Sequence, residues 1–194
     1  MSRRIADLRV VLIKAPLEAP IIAPFGRVDV RHNLVVRLKL EDGIEGLGEV
    51  WANFPPWGCP ERVEILRRVA RPALVGETLD DPARLHQMLR ARMRGLANQM
   101  GAIGPFDQAL AGVDIALWDA HSRALGRPLR QVLAEGAADS VAVYATNLPI
   151  DRPDMIDAMA AKMHAGGGAA AAALEVVQSR QFRSIRGSGL AATE

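Results

Sequence analysis

The sequence predicts an α+β fold in which a three-stranded antiparallel meander precedes a small helical bundle. Three observations carry that prediction. Residues 33–40 alternate apolar and polar side chains and run into an Asp-Gly turn; segments between Pro60 and Leu125 repeat apolar residues at helical spacing; and the strands come before the helices rather than alternating with them.

Residues Ile5 to Ile13 are β-rich, with Leu8, Val10 and Leu12 at alternate positions, so the first strand is expected there, ending at Pro16. Asn33 to Leu40 puts Leu34, Val36, Leu38 and Leu40 on one face and Arg37 and Lys39 on the other, as a half-buried antiparallel strand requires. Glu41-Asp42-Gly43 turns the chain, since Asp-Gly supplies the positive φ angles of a tight hairpin. Ile44 to Trp51 returns as the third strand, where Gly46 and Gly48 permit a bulge or a close backbone approach. Two connections read as long, stiff loops: Pro16 to Arg31, with Pro20, Pro24 and Gly26, and Asn53-Phe54-Pro55-Pro56-Trp57-Gly58. Exposed aromatics on such loops are costly to leave in water, so they must pack on something, either another domain or a ligand.

Pro60 suits the first turn of a helix with Val63, Leu66, Val69 and Ala70 on its apolar face, ended by Arg71-Pro72. Asp81 caps a second helix that begins at Pro82 and carries Leu85, Met88, Leu89 and Met93 inward. Asn98 to Gly104 reads as a glycine-punctuated loop. Pro105 to Leu125 is the strongest helical signal: Phe106, Ala109, Leu110, Val113 and Leu117 form one stripe, and Ile115, Trp118, Ser122 and Leu125 another. A helix apolar nearly all round belongs inside a bundle or between two domains, and Gly126 with Pro128 stops it. Val141 to Ala145 reads as a further strand and 153–164 as a helix. From Gly166 the chain turns to glycine and alanine runs with scattered Arg, and disorder or a fraying helix is expected there.

Composition narrows the partners. The chain has 194 residues, 49% of them hydrophobic, enough for one ordinary domain or one domain plus part of another. Its net charge of +2 is interspersed, so nucleic acid is not the expected partner. The basic residues are 21 Arg and 3 Lys, and the high isoelectric point reflects the high pKa of arginine more than a basic surface. No apolar run approaches a membrane span, and the lone Cys59 rules out an internal disulfide and a thiolate zinc site, so a cytoplasmic protein is expected.

No catalytic constellation emerges from these residues. Asp114 and Asp119 lie five positions apart on one helix, about 140° around its axis, and cannot share an ion. Asp119 is expected to pair with Arg123 at i, i+4, and Asp114 with a nearby donor. None of His32, His86, His121 and His164 has a second ligand at metal spacing. Gly43 to Glu49 imitates a phosphate loop, but no helix starts after it, and hairpin geometry accounts for its glycines. Cys59, at a helix start, is open to a nucleophile's role as well as to simple packing.

The hairpin ending in Gly48-Glu49, the helix with Asp114-Ile115-Ala116-Leu117-Trp118-Asp119, the stop Leu125-Gly126-Arg127-Pro128 and the strand with Val143-Tyr144-Ala145 occur in an informative order. Together they resemble the mandelate racemase/muconate lactonizing enzyme group of the enolase superfamily over residues 5–147. The resemblance implies an enolase-like N-terminal capping domain over 1–138. The first strand and helix of an incomplete (β/α) barrel would occupy 139–165, with a low-complexity tail at 166–194. It also implies that two capping-domain loops close over the barrel mouth and select substrate, which makes Phe25, Asn53, Phe54 and Trp57 candidate substrate-binding residues.

The resemblance further implies a reaction that removes a proton α to a carboxylate of an acid sugar or hydroxy acid, with Mg²⁺ stabilising the enediolate. The base and metal ligands would stand on later barrel strands. About 250 residues are needed to close such a barrel, no Lys follows Lys162, and the only acids after 166 are Glu175 and Glu194. The chain is therefore expected to be a truncated relative of a racemase or acid-sugar dehydratase, without catalytic or metal-binding residues of its own and inactive alone. The alternatives are a binding or dimerising module, giving a homo-oligomer, and a small enzyme using Asp114, Asp119 or Cys59.

Overall fold

A computed structural model describes residues 3–138 except 24, 25, 53, 54, 56 and 57, together with residue 140, and describes 19, 22 and 23 by backbone alone. Met1–Ala137 form one compact unit, which holds every element below. The strand and helix expected at 141–164, and the tail, lie outside the described residues.

The fold is α+β, with an antiparallel sheet of order β1-β2-β3. Its strands are β1 (Ile5–Ala23), β2 (Gly26–Leu40) and β3 (Glu45–Val50). The alternation of β2 is as expected: Leu34, Val36, Leu38 and Leu40 are fully buried, while Arg37 and Lys39 face out. The turn into β3 closes with the Leu40 N–H donating to Ile44 O at 2.8 Å, with Gly43 at φ +90°.

The connection expected as a loop over Pro16 to Arg31 is instead largely strand, the outer half of a long β1–β2 hairpin whose pairing runs to Ala23 opposite Gly26. Two properties of β1 explain this. It is an edge strand, where a proline's missing N–H interrupts no second ladder. The register also slips between Pro16, opposite Val30, and Ile21, opposite Val28, so residues 17–20 form a bulge that absorbs Pro20.

Helix α1 (Cys59–Ile65) opens into a π turn at Leu66–Ala70 and continues as α2 (Arg71–Leu74). Pro72 does not stop the helical path as the sequence reading expects. The Arg71 N–H reaches back to Leu66 O, and this wide turn makes room for a residue that lacks an N–H and carries a ring. The inward row of α1 is also rotated: Cys59, Arg62, Ile65 and Leu66 are buried, and Val63 and Val69 only partly so.

Helix α3 (Pro82–Met100) starts as expected, with the Asp81 carboxylate accepting from the Ala83 N–H at 2.9 Å. It runs further than expected, to Met100. Gly101, at φ +62°, then turns the chain within two residues into α4 (Ile103–Leu125), so the glycine loop at 98–104 is mostly helix. Gly126 ends α4 in the left-handed conformation, with the Arg127 N–H donating to Ser122 O. The first apolar stripe of α4 is buried, but on the second stripe Ile115 is 50% exposed. A short α5 (Leu129–Leu133), which sequence patterning did not reveal, follows Pro128.

Helix α4 lies across β3 and β2, and its seat explains three glycines. A Cβ on Gly48 would stand 1.9 Å from Gly112 O, one on Gly46 2.2 Å from Ala116 O, and one on Gly112 2.3 Å from Val50 Cγ2. Gly46 and Gly48 thus serve close approach of a helix rather than hairpin geometry. No bulge is present, since β3 pairs with β2 without a break from Leu34–Val50 to Lys39–Glu45.

Candidate functional site

Phe25, Asn53, Phe54 and Trp57 lie outside the described residues. What is described is the stem that carries the 53–57 connection. On one side Ala52, buried two residues past β3, offers its carbonyl to the thiol of Cys59, 3.2 Å from Sγ. On the other, the Gly58 N–H donates to Pro55 O at 2.9 Å, and Gly58 O accepts from Arg62 Nη1 at 2.7 Å. Arg62 Nε donates to Oε1 of Gln108 on α4, also at 2.7 Å. The Arg62 residue is 4% exposed, and the nearby carboxylate of Glu61 stands 3.9 Å from Nη1.

Sequence reasoning missed Arg62 and Gln108. A signal was available for Arg62, which falls three positions after Cys59 and three before Ile65, a charge in the middle of an apolar row. Gln108 had none, because its partner is 46 positions away.

The other groups singled out by sequence have structural surroundings of their own. Asp119 accepts from Arg123 Nε at 2.9 Å, as expected, and also from the backbone N–H of Leu47, which fastens α4 to the outer edge of β3. Asp114 Oδ1 stands 3.1 Å from His86 Nδ1 across the α3–α4 contact, a pairing by proximity, since the ring atom has no hydrogen-bond partner. Burial holds His121 below its ordinary pKa, with Arg3 adding to the effect, and its ring meets Trp118 edge to face at 6.2 Å. Burial pushes the Cys59 thiol up, only partly countered by Arg62. A buried thiol that donates to a carbonyl is a poor nucleophile, which counts against that alternative. Asp114 and Asp119 make no shared site either.

Among the described residues no three His, Cys, Asp or Glu side chains converge to hold a metal ion, so they do not fit a Mg²⁺ site. An open groove of about 300 Å³ between β1 and α1, lined by Val10, Leu12, Pro60, Val63, Glu64 and Arg67, holds no acid–base pair for catalysis, because Glu64 is tied to Arg68. No helix among the described residues is long and apolar enough to cross a membrane.

Comparison with known proteins places this architecture. The sequence model described as "Mandelate racemase / muconate lactonizing enzyme, N-terminal domain" matches residues 5–134. D-galactonate dehydratase of Verminephrobacter eiseniae is 32% identical over 134 residues, covering 69% of this chain and 32% of the relative. Hydrophobic dipeptide epimerase of Citrifermentans bemidjiense is 31% identical over 140 residues, covering 71% and 35%. Among solved structures, a mandelate racemase/muconate lactonizing enzyme of Bordetella bronchiseptica superposes with a TM-score of 0.71 at 34% identity, over 84% of this chain and 42% of its own. L-talarate dehydratase of Polaromonas sp., solved with Mg and L-glucarate, gives 0.65 at 26% identity, over 83% and 43%. The chain spans about a third of the length of the curated relatives it matches and less than half of these solved chains. By the match over 5–134 and the meander with its helices, the chain belongs to the mandelate racemase/muconate lactonizing enzyme family.

Proposed function

We propose that this domain serves as the substrate-selecting cap of an enzyme that removes a proton α to the carboxylate of an acid sugar, a dehydratase in preference to a racemase. The observation that carries the reading is the recurrence of acid-sugar dehydratases among the relatives, D-galactonate, D-mannonate and L-talarate dehydratases included. Phe25, Asn53, Phe54 and Trp57 are the residues proposed to meet the substrate. Aromatic side chains exclude water from a polar ligand's apolar faces, and an amide orients its hydroxyls. The pinned ends of the 53–57 connection, at Ala52 and Gly58, support that assignment, because selectivity needs a contact surface held in place. A cytoplasmic setting agrees with the free, buried Cys59.

The 194-residue polypeptide on its own is proposed to catalyse no turnover. Asp119 and Cys59 are engaged in bonds that hold the fold, and Asp114 stands beside His86 and apart from both. Purified chain with Mg²⁺ and a panel of acid sugars and hydroxy acids is expected to give neither dehydration nor racemisation, and metal-dependent turnover would overturn this. The substrate class is tested by replacing the capping domain of the Verminephrobacter dehydratase with residues 1–138. Retained acid-sugar dehydration, with KM raised about ten-fold by Phe54→Ala or Trp57→Ala, is expected; a folded chimera indifferent to both substitutions would count against it.

A second reading, a binding or dimerising unit, draws on the exposed apolar side chains of Leu47, Trp51 and Ile115. Sedimentation of the same preparation as a clean monomer would count against it.

A further inference from the structure

We infer that Arg62, held by Gln108, is a positioning residue that fixes the Gly58 end of the 53–57 connection. The effect on substrate selection rests on the function proposed above; the positioning itself does not.

A buried guanidinium is an expensive way to fill space. Arg62 is 4% exposed, and the 3.9 Å to Glu61 is too long for a hydrogen bond that would offset the loss of water. Were packing its only task, an unbranched apolar side chain of similar length would serve as well or better. What such a side chain lacks is the rigid fork of donors. Here the fork makes two 2.7 Å bonds in different directions, one to Gly58 O at the end of the connection and one to Gln108 Oε1 on a separate element. A Cβ on Gly58, whose φ of −76° suits any residue, would come within 2.8 Å of Nη1, so glycine here leaves the fork its present place. The opposite end of the connection is tied independently by Cys59 Sγ to Ala52 O. Arginine and cysteine, neighbours on the inward row of α1, therefore secure both ends from one helix.

The test is hydrogen exchange of the full chain and of four variants, alongside thermal melts. Arg62→Met and Gln108→Leu are expected to speed exchange in the peptide spanning 52–58 by about ten-fold, the loss of a hydrogen bond to a charged donor, with α3 unchanged; Tm should hold in Arg62→Met and fall in Gln108→Leu, which leaves the buried Nε of Arg62 without its acceptor. Arg62→Lys should not rescue the peptide, since a point charge cannot span both acceptors, whereas Gln108→Glu should. Unaltered exchange over 52–58, or exchange that rises there and in α3 together with a lower Tm, would overturn the inference by showing an ordinary packing role. Gln108 is only part-buried, so its variants remain informative where Arg62→Met fails to fold. If the peptide loosens as expected but Phe54→Ala and Trp57→Ala leave the chimera's KM untouched, the positioning stands and the proposed function falls.

Discussion

The two halves of the β1–β2 hairpin use similar apolar residues and hold them in opposite ways. At the base, Ile5, Leu8, Val36 and Leu38 are fully buried, in one core with the residues of α4. Toward the tip, Val11, Leu12, Ile13 and Ile21 are all more than a third exposed, Ile13 at 50%. Both halves pair antiparallel, although the outer one is interrupted by the bulge at residues 17–20. An apolar strand residue therefore contributes to the core only where a second layer lies over it, and the ladder alone can carry a strand beyond that layer. The base is accordingly a place where single atoms matter, and the exposed apolar positions toward the tip are places where they do not.

The hardest blow to the base would be Gly48→Ala, whose new methyl meets the backbone of Gly112 rather than a movable side chain. A loss of about 3 kcal/mol in urea unfolding is expected; a loss below about 1 kcal/mol would show that α4 can step away from β3. A smaller effect should come through His121, also on α4. Its depressed pKa makes the ring harder to protonate in the folded than in the unfolded chain. As pH falls through about 6.5 the unfolded chain takes up a proton that the native ring refuses, so stability declines until the native pKa is passed. Melts at about pH 7.5 and about pH 5.5 should differ in the native chain and differ less in His121→Gln, and equal slopes would remove His121 as the source. Asp7, held low chiefly by Arg9, acts in a separate window below about pH 4. Least of all, Ile13→Thr at the tip should change stability by less than about 0.5 kcal/mol; a larger loss would mean that the tip is packed against something.

What was legible in the sequence was whatever is local. The Asp81 cap, the Gly126 stop and the Asp119–Arg123 pair each join groups no more than four positions apart, and backbone geometry alone brings their partners together. The same locality misled at Pro16 and Pro72. Proline's cost depends on whether a neighbouring strand or a carbonyl one turn back needs its N–H, and an edge position and a π turn removed the need. The site was legible only in outline, because Gln108 and Arg62 meet through the packing of α1 on α4 rather than through any spacing in the chain.

By itself the sequence determined the α+β class, the buried face of β2, the first stripe of α4, the start of α3 and the end of α4, because side-chain period and terminal capping are properties of consecutive residues. The tertiary structure alone decided how far the hairpin extends, which glycines seat α4 on β3, and where the buried arginine finds its acceptors. Each of these depends on which surfaces are brought into contact, and contact between segments tens of residues apart leaves no local pattern to read.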